Sequence, residues 1–347
     1  MATGRVAVMS DVARLAGVSH QTVSRVLNDH PRVSRETRER VLEAVRQLNY
    51  RPNAMARGLA GRRSRVVGVV SFDTILYGPA ATLLGIERAS RAAGYGVSIV
   101  TLERLDHDGM VSALSALADQ SVAGVVVIAP QTAAAAALRN LPLGMAAVAV
   151  ESDMGGEIPA ISVDQVTGAR MAVEHLLGLG HRKVWHVSGP RDWLETHGRI
   201  EGWRLALDEA GLPAPRVITG DWGARSGYEA GVELAARFAA DPHDVTAVFA
   251  ANDQMALGMM RAFHEGGVRV PDDVSIVGFD DIPEAEFLSP PLTTVRQDFD
   301  EVGRRCIAAL LRLIEADRAE GPDRPEPDAR VAPTLVERAS TAQLQPR

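Results

Sequence analysis

From Val66 onward, short runs of β-branched residues alternate with Ala- and Leu-rich stretches of helical period, and that alternation narrows the fold more than any other feature. The β-like runs are RVVGVVSF, GVSIVTL, AGVVVIAP, AAVAVE, AISVD, KVWHVSG, VTAVFAAND and VSIVGFDD. Between most of them lie patterns such as GIERASRAAG, VSALSALADQ, GARMAVEHLLGLG and QMALGMMRAFHEGG. Strands apolar on both faces need cover on both, and helices that return the chain make successive strands parallel. The pattern predicts a doubly wound α/β architecture. Residues 66–347 are too many for one such sheet and predict two αβ lobes with a ligand cleft between them. The Pro- and Glu-rich stretch EGPDRPEPDAR (320–330) predicts an exposed connection.

The first 65 residues have another texture and another charge. They hold 13 Lys+Arg against 5 Asp+Glu, a balance of +8, whereas the remainder holds 24 against 39, a balance of −15; the sum is the overall −7. The net charge alone argues against a nucleic-acid partner, and the split argues for one carried by the N-terminus. Three short helices are predicted there. Ser10 caps DVARLA, Gly17-Val18 makes a turn, Ser19 caps HQTVSRVLN, and Ser34 caps RETRERVLEAVRQL, in which Val41, Val45 and Leu48 recur at helical spacing. Pro52 stops the third. Two short helices joined by a tight turn are the frame of a helix-turn-helix, whose second helix lies in the major groove. Its outer side would present His20, Gln21, Ser24, Arg25 and Asn28, side chains able to read base edges and phosphates. A structural helical hairpin with a polar face would share part of this pattern. The following stretch AMARGLAG is too short to be a stable helix in water, and Gly58 weakens it further.

Several chemistries are excluded by what the sequence lacks. No GxGxxG follows the first strand, and there is no P-loop, GxSxG or HExxH motif. Scattered carboxylates do not form a recognisable glycosidase pair. Cys306 is the only cysteine, which leaves no disulfide framework and no zinc cluster, and its apolar helical surroundings make it a core residue. No catalytic residue, metal or cofactor is expected. The chain shows no run of about 18 apolar residues and no convincing signal peptide, so a cytoplasmic, nucleoid-associated location without a membrane partner is expected.

The segments DVARLAGVSHQTVSRVLN, TRERV, LNYRPN and MARGLAG resemble the headpiece of the LacI/GalR (lactose-repressor) family of bacterial transcription regulators. VEHLLGLGHRKV, GDW, ANDQMALG, DVSIVGFDD and PPLTTVRQDF continue the resemblance through nearly the whole chain, closest to its lactose-type members. The resemblance implies an all-α helix-turn-helix headpiece (1–52), a hinge helix and linker (53–65), and a two-lobed, periplasmic-binding-protein-like sensor and dimerisation domain (66–347). It assigns DNA contacts to Ser19, His20, Gln21, Ser24, Arg25 and Asn28, with Ser34 and Thr37 near the backbone. Asn53, Arg57, Leu59 and Ala60 fall in a hinge that folds on DNA, where Leu59 would wedge the central base step. His20 stands where the lactose-type members have tyrosine, so operator preference is expected to differ.

For the effector, the resemblance implies Trp222 and Phe299 flanking a small sugar, with Arg199, Asn252, Asp280 and Gln297 hydrogen-bonding it and Arg104 and Glu151 contributed by the first lobe. Asn252 and Asp280 follow predicted strands, where open α/β sheets bind ligands. Trp193 and Glu195 replace small serines of the lactose-type members and would close over the ligand and alter its identity. Tyr77–Thr82 would touch either ligand or a dimer surface. Other roles also fit: Trp203 as core, Asp253 and Asp281 as helix caps, Arg199 and Asp280 as a structural ion pair. The expected function is a repressor of sugar-utilisation genes, released from a palindromic operator by a galactoside-like inducer. Two-fold DNA symmetry calls for a homodimer, and the absence of heptads after Val336 predicts no higher assembly.

Overall fold

The computed structural model describes residues 8–27, 30, 32–48, 50, 64–72, 75–102, 107–128, 130–132, 145–150, 158–319 and 329–344. The chain divides into two units, Met1–Ser64 and Arg65–Arg347.

The first unit contains α1 (Met9–Ala16), α2 (His20–Leu27) and α3 (Arg35–Gln47). Gly17 ends α1 with φ 64°, a left-handed conformation that glycine adopts without a Cβ clash, and Val18 N–H donates back to Ala13 O at 3.0 Å. Ser19 and Ser34 cap α2 and α3 through bonds from Thr22 N–H (3.2 Å) and Thr37 N–H (3.3 Å). Ser10 does not cap α1. The helix starts one residue earlier, and Asp11 takes the Val8 N–H at 3.0 Å, so a carboxylate inside the first turn replaces the expected hydroxyl. Val12, Ala13, Ala16, Val23, Val26, Val41 and Ala44 close the small core.

The second unit contains two parallel-dominated sheets. The first lobe orders β11 (Ala329–Val331), β5 (Ala160–Val163), β4 (Ala147–Val150), β3 (Val125–Ile128), β1 (Val66–Phe72) and β2 (Gly96–Leu102), all parallel. Alternate side chains serve opposite faces. Val67 and Val69 pack under α4 (Tyr77–Ala92) and α10 (Phe299–Ala319), and Val70 packs under α5 (His107–Asp119). The second lobe orders β12 (Thr334–Val336), β10 (Thr293–Arg296), β9 (Ser275–Asp280), β8 (Ala247–Ala250), β6 (Val184–Ser188) and β7 (Ile218–Thr219), parallel except for the β10–β12 pair. Helices α6 (Gln165–Gly178) and α7 (Leu194–Glu209) cover one face, with Trp203 fully buried and its indole N–H on Val184 O at 2.9 Å. Helices α8 (Ala224–Ala240) and α9 (Asp253–Glu265) cover the other.

The chain crosses between lobes three times, at β5 to α6, β10 to α10, and β11 to β12. These short crossings keep the carboxyl ends of both sheets pointed into one cleft. Four strands were not predicted, β7, β10, β11 and β12. Of these, β7, β11 and β12 have only two or three residues, too few for a periodic signal. Ala329 and Arg330, expected in an exposed connection, begin β11 because they pair with β5; residues 320–328 of that connection lie outside the described residues. Cys306 is buried in α10, as its pattern indicated.

Candidate functional site

The second unit contains a cleft that opens to solvent. It is lined by Trp193, Glu195, Arg199, Trp222, Asn252, Asp280, Gln297 and Phe299, so eight effector positions expected from the sequence converge on one place. Arg104 and Glu151 lie outside the described residues. Most of these residues follow the carboxyl end of a strand or open the helix after one: Trp193 and Glu195 after β6, Trp222 after β7, Asn252 after β8, Asp280 ending β9, Gln297 after β10; Arg199 reaches in from the second turn of α7. This is where helix N-termini and strand ends leave polar backbone facing a crevice.

At the floor lies a closed polar ring. Arg199 Nε donates to Gln165 Oε1 at 2.8 Å, Gln165 Nε2 to Gln297 Oε1 at 2.9 Å, and Gln297 Nε2 to Asp280 Oδ1 at 2.6 Å. Arg199 Nη2 closes the ring 3.6 Å from Asp280 Oδ1. Arg199 also donates to Ala251 O and stacks 3.9 Å over the Phe279 ring. The Arg199 and Asp280 side chains are only 4% and 7% exposed. Burial raises the Asp280 carboxyl to about 6, opposed by the Arg199 charge and the Gln297 hydrogen bond. Burial also pushes the adjacent Asp253 up, and the Asp280 charge adds to that push. Arg199 and Asp280 therefore pair, and both line the cleft. Gln165 was missed. Its signal was available, since it directly follows Asp164 at the carboxyl end of AISV.

The walls are aromatic. Trp193 and Trp222 meet edge to face with centroids 5.5 Å apart, and Tyr77 meets Phe299 likewise at 6.0 Å. Tyr77, Pro79 and Thr82 of α4 line the cleft. Trp222 and Asp280 both adopt left-handed backbone, φ 72° and 110°, a strain that non-glycine residues bear only where the surroundings enforce it. At Trp222 one enforcing contact is visible. Asn252 Nδ2 donates to Trp222 O at 3.0 Å, while Asn252 Oδ1 caps α9 by accepting Met255 N–H at 2.9 Å. Asn252, expected to contact ligand, is thus engaged in capping and in holding Trp222. Asp253 and Asp281 are not caps. Asp253 accepts from Thr294 Oγ1 (2.6 Å) and Ile282 N–H (2.9 Å), and Asp281 pairs with Arg296 (2.6 Å) and Arg338 (2.7 Å). Trp222 Nε1 is buried and has no hydrogen-bond partner among the described residues, which leaves a donor for a ligand oxygen.

A Cβ on Gly189 would run into the Trp222 six-membered ring. Gly189→Ala is expected to displace that ring and cost about 1–3 kcal/mol, read as a lower unfolding midpoint with an altered tryptophan emission maximum. An unchanged emission maximum would show that Trp222 does not rest on Gly189.

In the first unit, His20, Gln21 and Arg25 are exposed on α2, Ser24 is half-buried beside them, and Arg25 forms no ion pair among the described residues. Helix geometry leaves the His20 and Gln21 N–H groups without intrahelical acceptors at the end that Ser19 caps. Ser34 and Thr37 sit together at the start of α3. Asn28, Asn53, Arg57, Leu59 and Ala60 lie outside the described residues.

Residues 8–53 match the family described as bacterial regulatory proteins, lacI family, and residues 173–341 match the periplasmic binding protein-like domain. The lactose operon repressor of Escherichia coli (strain K12) is 35% identical over 318 residues, covering 90% of this chain and 86% of that one. The chain belongs to the lacI family of bacterial regulatory proteins. Regulators with other metabolic assignments are also similar: the ribose operon repressor of E. coli (strain K12) is 31% identical over 338 residues, covering 96% of this chain and 99% of its own length. Among solved structures, a lac repressor dimer bound to operator and the anti-inducer ONPF superposes with TM-score 0.85 at 33% identity, over 97% of this chain and 100% of that one. A complex of the transcriptional regulator CelR with cellobiose superposes with TM-score 0.69 at 30% identity, over 96% and 99%. The lacI-family relatives are transcription repressors, and this chain is a regulator of that kind rather than an enzyme. Among the described residues no helix is long and apolar enough to cross a membrane.

Proposed function

We propose that the protein represses sugar-utilisation genes by binding a palindromic operator as a homodimer, and that a small sugar, galactoside or related β-glycoside, releases it. The observation that carries the sugar reading is the pairing of tryptophan faces with the buried Arg199–Gln165–Gln297–Asp280 ring. Carbohydrates present C–H faces for aromatic contact and adjacent hydroxyls for bidentate polar contact. The homodimer reading is supported by large apolar side chains exposed on both lobes, among them Leu84 (48%), Leu257 (41%) and Phe287 (79%). In this reading Trp222, Phe299, Arg199, Asp280 and Gln297 contact the sugar, Trp193 and Glu195 select it, and the segment 53–61 couples the sensor to DNA.

The test is a thermal-shift screen with galactosides, glucosides and β-linked disaccharides, followed by operator release measured by fluorescence anisotropy. A ligand that stabilises the chain and frees the operator is the expected result; stabilisation only by ribose or purines would replace the sugar class. Affinity for that ligand should weaken as pH falls through about 6, because the sugar hydroxyls donate to ionised Asp280, whose carboxyl is held near that value. Asp280→Asn should flatten the profile. His186, lowered to about 4 by burial, stays neutral through the same range.

A further inference from the structure

The outer side of α7 carries a second groove, about 490 Å³, which shares no lining residue with the cleft. At about 100° per residue, Glu195 and Arg199 lie within about 40° of each other on the helix, and His197, Glu201 and Arg204 centre on the opposite side. One helix therefore presents two faces to two hollows. Arg191, Arg204, His197 and Glu201 line the outer one with Thr219 of the edge strand β7, and Ile200 and Val217 supply an apolar wall. Several arginines of this lobe are matched to carboxylates, as Arg170, Arg216, Arg237, Arg261 and Arg269 are. Arg191 and Arg204 form no ion pair among the described residues, although Glu201 stands in the same groove. His197 Nε2–H donates to Arg191 O at 2.6 Å and ties the Arg191 loop to α7, so that cation is carried on a fixed backbone.

We propose that this groove is a second ligand site, for a phosphorylated sugar or polyol. Two guanidiniums suit a phosphoryl group, whose three acceptor oxygens and double charge can occupy both, whereas a carboxylate fills one planar fork. Glu201 and Thr219 face the hydroxyls that such a ligand carries, and Ile200 and Val217 face its C–H surface. The groove is separate from the cleft, so the proposal stands or falls independently of the inducer reading.

Isothermal titration of the full chain with glucose 6-phosphate and fructose 6-phosphate tests it, with glucose and inorganic phosphate as arms. At least one hexose phosphate is expected to bind, more tightly than either arm. The double variant Arg191→Ala/Arg204→Ala should weaken that binding about tenfold or more without moving the melting temperature, since both side chains are exposed. Asp280→Asn, in the cleft, should leave it unchanged. Absence of binding by both hexose phosphates, or binding that survives the double variant, overturns the site. Loss with Asp280→Asn alone places the ligand in the cleft and overturns it equally. Inorganic phosphate binding as tightly as the sugar phosphates overturns the sugar half of the assignment.

Discussion

Arg199→Met is expected to lower stability by about 2 kcal/mol more at pH 7.5 than at pH 5, because it strands a buried carboxylate. Arg199 is the one cation paired to Asp280 among the described residues, and both side chains are almost fully enclosed. Methionine keeps much of the aliphatic volume over Phe279 and Trp222, so the pH-dependent part of the loss is electrostatic. The carboxyl of Asp280 already titrates near 6 with the guanidinium present. Removing the attraction raises it further, while the unfolded value stays near 3.8. A folded-state value above the unfolded one means that the folded protein holds its proton more tightly, so stability is greatest at low pH and falls as pH rises through the folded value. The variant loses the bonds to Gln165 and Ala251 at both pH values and should fall further below the parent at pH 7.5 than at pH 5. Adding Asp280→Asn should recover most of the difference. Urea-unfolding midpoints across this range decide the matter. A loss of equal size at both pH values would show that packing, not the ion pair, is what Arg199 supplies.

The eight apolar strand runs and the lobe pair were legible because buried parallel strands leave an unambiguous apolar signature. The short strands were not. β7 and β12 are defined by who pairs with them, and two or three residues carry no period of their own. The cleft was legible where the strand-end rule and the family motifs agreed, as at Asp280 and Asn252. Gln165 was absent from the expected set because no motif marks it, although it supplies two sides of the polar ring. Nor does sequence spacing tell a cap from a ligand contact. Asn252 and Asp253 are adjacent carbonyl-bearing side chains, and only the geometry of α9 gives the cap to the first and the Thr294 and Ile282 bonds to the second. The second groove was invisible for a related reason: Arg191, Arg204 and Thr219 meet only when α7 is laid beside the edge of the sheet.

Operator affinity is expected to fall about 10³–10⁵-fold between 50 and 200 mM salt if about 6–10 phosphates are contacted, through release of condensed counterions. The charge split sets the expectation: residues 1–65 carry +8 and the remainder −15, so attraction to DNA is confined to the N-terminal part of the chain. Part of that positive charge is neutralised locally, since Arg14, Arg35 and Arg46 pair with Asp11, Glu39 and Glu43 on their own helices. Those pairs are exposed and weak, and a phosphate can displace the carboxylates at little cost. Arg25 is different, being exposed on α2 beside Gln21 and unpaired among the described residues. Anisotropy titrations on a palindrome selected from random DNA give the slope of log affinity against log salt. A flat response would remove the headpiece from the DNA interface altogether. Arg25→Ala separates the two ways an arginine can act there. A phosphate contact should reduce the slope by about one and weaken all sequences alike, whereas a base contact should leave most of the slope and relax preference at one position of the site.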